Sequence, residues 1–129
     1  MNAGVTGPQL RIFLVENHPD TLKWLGLYLE DLGHLVIAAS TMHAALAELP
    51  SSDCDVLISD IGLPDGDGWQ LLRQVRLPHP LYAIAMSGFG LNADRAKSEA
   101  AGYRKHLLKP FKAGELEKVL EEAVAEMAA

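Results

Sequence analysis

Chemically able side chains follow short apolar runs in this sequence of 129 residues. Glu16 and Asn17 come directly after Ile12–Val15, and Asp60 comes after Val56–Ile58 and Ser59. Ser87 comes after Leu81–Met86, and Lys109 with Pro110 comes after His106–Leu108. Acid, amide, hydroxyl and ammonium make a complementary set. Carboxylates on neighbouring strands could hold a divalent cation through oxygen ligands. A lysine and a hydroxyl opposite them suit the oxygens of a phosphoryl group. Phosphoryl transfer needs an oxygen nucleophile, positioning and cationic neutralisation of spreading charge. Taken singly, each residue has a plainer reading. An Asp after a strand usually caps a turn or helix, and a lone Lys is usually solvated. The argument rests on the set.

Such a set works only if the chain brings it to one edge. The apolar runs, with Leu35–Ala39 as the second in order, are continuous rather than alternating. Strands covered on both faces read this way. Amphipathic stretches lie between them. Leu22, Leu25, Leu29 and Leu32 share a helical face, with Asp20 or Thr21 as expected cap and Gly33 as stop. Ser40 is the expected cap of a helix carrying Met42, Ala45, Leu46 and Leu49 inward, with Pro50 beyond it. Leu71, Leu72 and Val75 mark a third helix ending before Pro78. Asn92–Ala101 is helical but weakly apolar and stops at Gly102; Leu116, Val119, Leu120, Ala123, Val124 and Met127 form the stripe of the last helix. Five strand–helix units imply a parallel sheet with helices on both faces. Ligands of such a sheet bind at the carboxyl ends of its strands, where the polar set falls.

Composition narrows the function. With 49% hydrophobic residues the chain can build one ordinary core, and the expected division is a flexible lead over residues 1–9 followed by one domain over 10–129. A formal net charge of −6 without a Lys/Arg run argues against direct binding to nucleic acid or an anionic membrane. No run is long enough to span a bilayer, and the first residues do not form a signal peptide, so a cytoplasmic location is expected. The lone Cys54 reads as a small strand-start residue, not a nucleophile. The histidines His18, His34, His43 and His79 lack zinc-ligand spacing. Trp24 and Trp69 read as packing or surface residues, and Asp65 and Asp67 as turn formers.

The motifs RIFLVEN, SDIGLPDGDG, AMSGFG and HLLKPF, from about Arg11 to about Met127, resemble the receiver (CheY-like) family of response regulators. Asp60, Pro64 and Gly68 match its Asp-x-x-x-Pro-x-x-x-Gly segment, and Ser87 and Lys109-Pro110 complete the pattern. LPDGDGW and SGFG are similar to receivers of hybrid histidine kinases. The resemblance implies a three-layer α/β, flavodoxin-like fold with a five-stranded parallel sheet ordered 2-1-3-4-5. It implies that Asp60 takes a phosphoryl group from the phosphohistidine of a histidine kinase or phosphotransfer domain. Uptake and loss would be self-catalysed and Mg²⁺-dependent, without a conventional enzyme activity. Glu16, Asn17, Asp60 and the backbone carbonyl of Gly62 would serve the metal, and Ser87 and Lys109 the phosphoryl oxygens. Ser87 and His106 would form the switch, Phe89 and Pro110 would border the site, and the Lys109–Pro110 bond would be cis. A downstream protein would be met through the face of helix 4, strand 5 and helix 5.

The sequence also departs from that pattern. Asn17 stands where the family usually has a second acid, so Mg²⁺ binding is expected to be weaker. A degenerate receiver, binding partners without phosphorylation, is the competing function. His106 stands where the switch aromatic is usually Tyr or Phe, and either switches with a polar ring or is a strand-end residue with no such role. Phe89 either shields the site from water, slowing dephosphorylation, or packs on the fourth helix. A flavin-binding protein of the same fold is disfavoured. Its phosphate would need a Ser/Thr/Gly-rich loop where this chain has the acidic Glu16-Asn17-His18-Pro19-Asp20. No output domain is expected within these residues; the chain is a stand-alone regulator or the receiver of a larger protein.

Overall fold

Alternate residues of each apolar run face opposite sides of the sheet, so one run feeds two cores. The computed structural model describes residues 8–77, 79–88 and 92–128. Strands β1 (Arg11–Val15), β2 (Leu35–Ala39), β3 (Val56–Asp60), β4 (Tyr82–Ser87) and β5 (Lys105–Leu108) form one parallel sheet in the order β2-β1-β3-β4-β5. This is the expected order. Helices α1 (Pro19–Asp31) and α5 (Ala113–Ala128) pack an aliphatic core on one face, with Ile12, Leu14, Leu25, Leu29, Ile58, Ile84, Leu116 and Leu120 buried. Phe13, Val15, Leu57, Ala83 and Ala85 point the other way, into a core shared with Ala45 of α2 (Met42–Glu48), Leu71 of α3 (Gly68–Gln74) and Tyr103. Each fully buried Leu, Ile or Phe contributes about 2 kcal/mol from apolar transfer. The sheet is therefore rigid beneath its edge.

Strand ends differ by a residue or two from the apolar runs. β3 continues through Ser59 and Asp60, and β4 runs from Tyr82 through Ser87. Backbone pairing persists past the apolar side chains because every N–H and C=O needs a partner. Two helix starts also differ from expectation. His18, not Asp20 or Thr21, caps α1: its Nδ1 accepts from Thr21 N–H at 3.4 Å, and Pro19 occupies the first helical position, where no N–H is required. Thr41, not Ser40, caps α2, its Oγ accepting from Ala44 N–H at 3.1 Å. Gly33 and Gly102, the expected stops, adopt φ of 101° and 112°, which glycine does without strain.

The two turn aspartates do more than turn the chain. Asp67 forms a capping box with Gln70 at the start of α3. Asp65 reaches back to accept from Met42 N–H and His43 N–H, each at 2.8 Å, so it caps α2 from a loop far along the chain. Cys54 is buried, and burial pushes its thiol up, which suits an inert packing residue.

Helix α4 (Asn92–Ala101) is anchored differently from the rest. Among its described side chains only Ser98 is buried. The Ser98 hydroxyl accepts from Trp69 Nε1–H at 2.9 Å, and Lys97 Nζ lies 5.2 Å from the centre of the Trp69 ring. A polar clasp from α3, not an aliphatic stripe, holds α4. Trp69→Phe removes the donor and leaves Ser98 buried without it. The expected outcome is a loss of about 1 kcal/mol in urea unfolding. Amide exchange should speed up in α4 while α1 and α5 stay protected.

Candidate functional site

Each member of the site is held by backbone bonds at a strand end. Val15 pairs with Ser59 and Asp60 with Met86, so Glu16 emerges beside Asp60. Glu16 N–H donates to Ala39 O at 3.1 Å, Ile61 N–H to Met86 O at 2.9 Å, and Lys109 N–H to Ser87 O at 2.7 Å. These bonds fix the main chain around the carboxylates and the ammonium.

The loop after Asp60 is closed tightly. Gly62–Leu63 and Gly66–Asp67 form a two-residue antiparallel ladder, and Gly68 N–H donates to Ile61 O at 2.8 Å. A Cβ on Gly68 would sit 2.5 Å from the Asp60 carbonyl oxygen and 3.1 Å from the Tyr103 hydroxyl, which itself donates to Gly68 O at 2.7 Å. Only glycine lets the chain return this close to Asp60. The Asp60–Gly68 spacing is thus a packing requirement of the site.

Lys109 Nζ bonds both Asp60 Oδ1, at 2.7 Å, and Glu16 Oε1. His18 N–H donates to Glu16 Oε2 at 3.0 Å. Glu16 is 1% exposed and Asp60 6%, so the two carboxylates share one ammonium away from bulk water. Burial pushes Asp60 up to about 7, the neighbouring Glu16 carboxylate adds to the rise, and Lys109 opposes it. Glu16 is lowered despite its burial, through hydrogen bonds with Asp60, Lys109 and the His18 N–H. Lys109 is raised: burial disfavours its charge, but contacts with Asp60 and Glu16 outweigh that. The cluster holds one more negative charge than positive when all three groups are ionised. It therefore attracts either a proton or a further cation.

Several expected site residues are brought together here: Glu16, Asp60 and Lys109 touch. Ser87 meets His106, its Oγ 2.8 Å from Nε2. Asn17 and Gly62 are exposed beside the cluster. The Lys109–Pro110 bond is cis, as expected. Phe89 lies outside the described residues. Among the described residues no three His, Cys, Asp or Glu side chains converge as a metal cage. The oxygen donors on offer are two carboxylates, an amide and a main-chain carbonyl. Such a set fits a hard cation that keeps several waters. Sequence reasoning missed Gly68 as a contact of Asp60 and Tyr103 as its support. An aromatic directly after a helix-stopping glycine was the one available signal for Tyr103.

The raised Asp60 predicts a pH-dependent stability. In the folded chain Asp60 holds its proton up to about 7, against 3.8 for the free group. The folded state binds more protons between these values, so this contribution is present at low pH and lost as pH rises through 7. Asp60→Asn removes the cost of burying the second carboxylate. The variant should be more stable than wild type by on the order of 2 kcal/mol at pH 8 without divalent metal, and little different at pH 4. Urea titrations at both pH values check this.

Comparison with known proteins agrees with this geometry. Residues 12–121 match the response regulator receiver domain family. The chain is 33% identical over 113 residues to the KDP operon transcriptional regulatory protein KdpE of Escherichia coli, covering 88% of this chain and 50% of that protein. It is 35% identical over 127 residues to the virulence sensor protein BvgS of Bordetella pertussis, covering 92% of this chain and 10% of that protein. It thus spans half the length of one curated relative and a tenth of the other. The crystal structure of a receiver domain protein (CheY-like) from Methanospirillum hungatei superimposes with a TM-score of 0.84 at 26% identity, covering 94% of this chain and 98% of that one. An acid–ammonium cluster at the carboxyl edge of a 2-1-3-4-5 sheet and a family match over most of the sequence lead to one conclusion: the chain belongs to the response regulator receiver domains of two-component signalling.

Proposed function

We propose that Asp60 is the phospho-acceptor of this receiver. The observation that carries the reading is the Lys109 ammonium 2.7 Å from Asp60 Oδ1, beside the buried Glu16. A carboxylate oxygen of Asp60 attacks the phosphorus of a phosphohistidine on a histidine kinase or phosphotransfer domain. The new O–P bond forms as the N–P bond breaks, and the imidazole leaves with the bonding pair. The product is an acyl phosphate on Asp60. Lys109 is already in contact with the nucleophile and turns to a phosphoryl oxygen once the carboxylate charge is consumed. The Ser87 hydroxyl donates to another. Both act by neutralising and orienting charge in a site that largely excludes water.

Magnesium is the cation this donor set suits, and it would be held by Glu16, Asp60, the Asn17 amide and the Gly62 carbonyl. When bound it supplies positive charge to the transferring oxygens. The excess negative charge that raises Asp60 supports this assignment. A neutral Asn17 contributes an oxygen without charge, so affinity is lower than an acid there would give. Residues 10–129 form the receiver unit, with 1–9 as a lead. Ser87 and His106 form the switch, Phe89 and Pro110 border the site, and the α4–β5–α5 face meets a downstream protein. Direct nucleic-acid binding has no basic patch in the sequence to support it. No helix among the described residues is long and apolar enough to cross a membrane, which accords with a cytoplasmic setting.

Intact mass after incubation with acetyl phosphate or phosphoramidate tests the reading. A phosphate-sized gain is expected in wild type, only with Mg²⁺, and none in Asp60→Asn. No gain at any Mg²⁺ concentration would overturn it in favour of phosphorylation-independent partner binding. Asn17→Asp should lower the Mg²⁺ concentration needed for half-maximal uptake by roughly tenfold. Wild-type uptake that already saturates at low metal would contradict the weak-site assignment.

A further inference from the structure

Exposed apolar side chains gather at one margin of the sheet. Leu27 of α1 is 58% exposed, and Leu35 and Ile37 of β2 are 47% and 40% exposed. β2 ends the sheet order and pairs with β1 alone among the described residues. Edge strands are usually guarded by a lysine, a proline or a bulge, because their open N–H and C=O groups template further pairing. β2 reads Leu35-Val36-Ile37-Ala38-Ala39 in regular register and carries none of these.

The open edge has a definite phase. Leu35 N–H donates to Leu10 O, and Ala39 O accepts from Glu16 N–H, so residues 35, 37 and 39 turn their main chain toward β1. Main-chain groups alternate along a strand, which leaves those of Val36 and Ala38 facing outward. The same edge of a second copy has matching groups when it runs antiparallel. Two-fold pairing about Ile37 sets Val36 opposite Ala38 of the second copy, where the two exchange both N–H···O bonds. Ile37 then faces its own counterpart as a non-hydrogen-bonded pair.

The helix above the edge obeys the same symmetry. α1 packs over β1 and β2 and runs opposite to them. Joining two sheets at β2 therefore lays two α1 helices antiparallel, about 10 Å apart, within helix-packing distance. A groove between α1 and β2 is lined by Lys23, Gly26, Leu27, Glu30, Val36 and Ala38. Lys23 and Glu30 are both exposed and lie about 10 Å apart along the helix, on either side of Leu27. The two-fold brings Leu27 to Leu27, and each Lys23 to the opposite Glu30. Gly26 accords with this. A Cβ there would meet nothing within 4 Å, so the chain's own packing does not call for glycine in mid-helix, whereas a second helix at close range does.

We propose that β2 and α1 form a homodimer contact, in which two copies join their sheets edge to edge about a two-fold axis at Ile37. The proposal goes beyond the receiver reading and does not rest on it. The occupant is a second copy because hydrogen-bond phase, apolar surface and charge are all self-complementary about one axis.

One strand pair and one helix contact stand near the low end of stable interfaces, so a dissociation constant on the order of 10 µM is expected. Sedimentation velocity of the full chain below and above that concentration is the test. Lys23→Glu and Glu30→Lys should each weaken the dimer by roughly tenfold, because each makes the facing charges alike. An equimolar mixture of the two variants should dimerise as wild type does, since one copy is then acidic and the other basic at the contact. Recovery on mixing also shows that both variants fold. Under mild oxidation Ile37→Cys should form a covalent dimer, because Cα atoms of a non-hydrogen-bonded pair stand about 4.5 Å apart, within disulfide reach. Leu35→Cys should not, and the native Cys54 is buried. A chain that stays monomeric, a dimer indifferent to the charge changes, or cross-linking through Leu35→Cys in place of Ile37→Cys would overturn the proposal while leaving Asp60 as acceptor. Amide protection at Val36 and Ala38 that does not rise with concentration would overturn it too, as the mark of another segment lying on the edge.

Discussion

Two carboxylates and one ammonium held together at the edge of a sheet are the constraint around which this chain is built. Burying such a cluster does not stabilise a fold by itself, because desolvation offsets much of the attraction. Here the imbalance is not even neutralised, and Asp60 responds by holding a proton to about 7. The cluster persists because the sheet imposes it. Glu16 and Lys109 directly follow β1 and β5, and Asp60 ends β3; the apolar residues of β1 and β3 are buried on both faces. Their main-chain positions cannot shift without unpairing a strand end. The resulting excess of negative charge is what gives the site its appetite for cations.

Much of this was legible in the sequence because the signals were local. A continuous apolar run is visible over a few residues, and so is the polar residue that ends it. Placing Glu16, Asp60, Ser87 and Lys109 at one edge then needed only the rule that parallel strands deliver their carboxyl ends together. The resemblance supplied the strand order. Helix ends were less legible. His18 is an unusual cap, and its role depends on Pro19 occupying the first turn. Thr41 and Ser40 are adjacent and chemically alike, so only the backbone chooses between them.

What stayed hidden was what depends on contacts between distant segments. Asp65 looks like a turn residue and is one, but its carboxylate serves two N–H groups of α2. Gly68 was a motif position, and its reason is a carbonyl 2.5 Å from where a Cβ would stand. Trp69 and Ser98 carry no pattern that joins them. The same holds for Ser87 and His106: nothing in their spacing says that one ring nitrogen would find the hydroxyl and the other no partner among the described residues. All these pairings lie on the side of the sheet that carries α2, α3 and α4, where the helices are short or weakly apolar. That side adds these directional polar bonds to an apolar core of its own.

The polar clasp on α4 has a thermodynamic corollary. Heat-capacity changes in proteins come mainly from apolar surface exposed to or withdrawn from water. Moving a helix whose buried described side chain is a serine uncovers little such surface. A displacement of α4 would thus carry almost no heat-capacity change, and its enthalpy would be nearly constant with temperature. A conformational equilibrium of that kind keeps a nearly straight van't Hoff line. Its balance is set by one or two hydrogen bonds, not by the hydrophobic core, so it can drift with temperature far less than the stability of the fold that carries it.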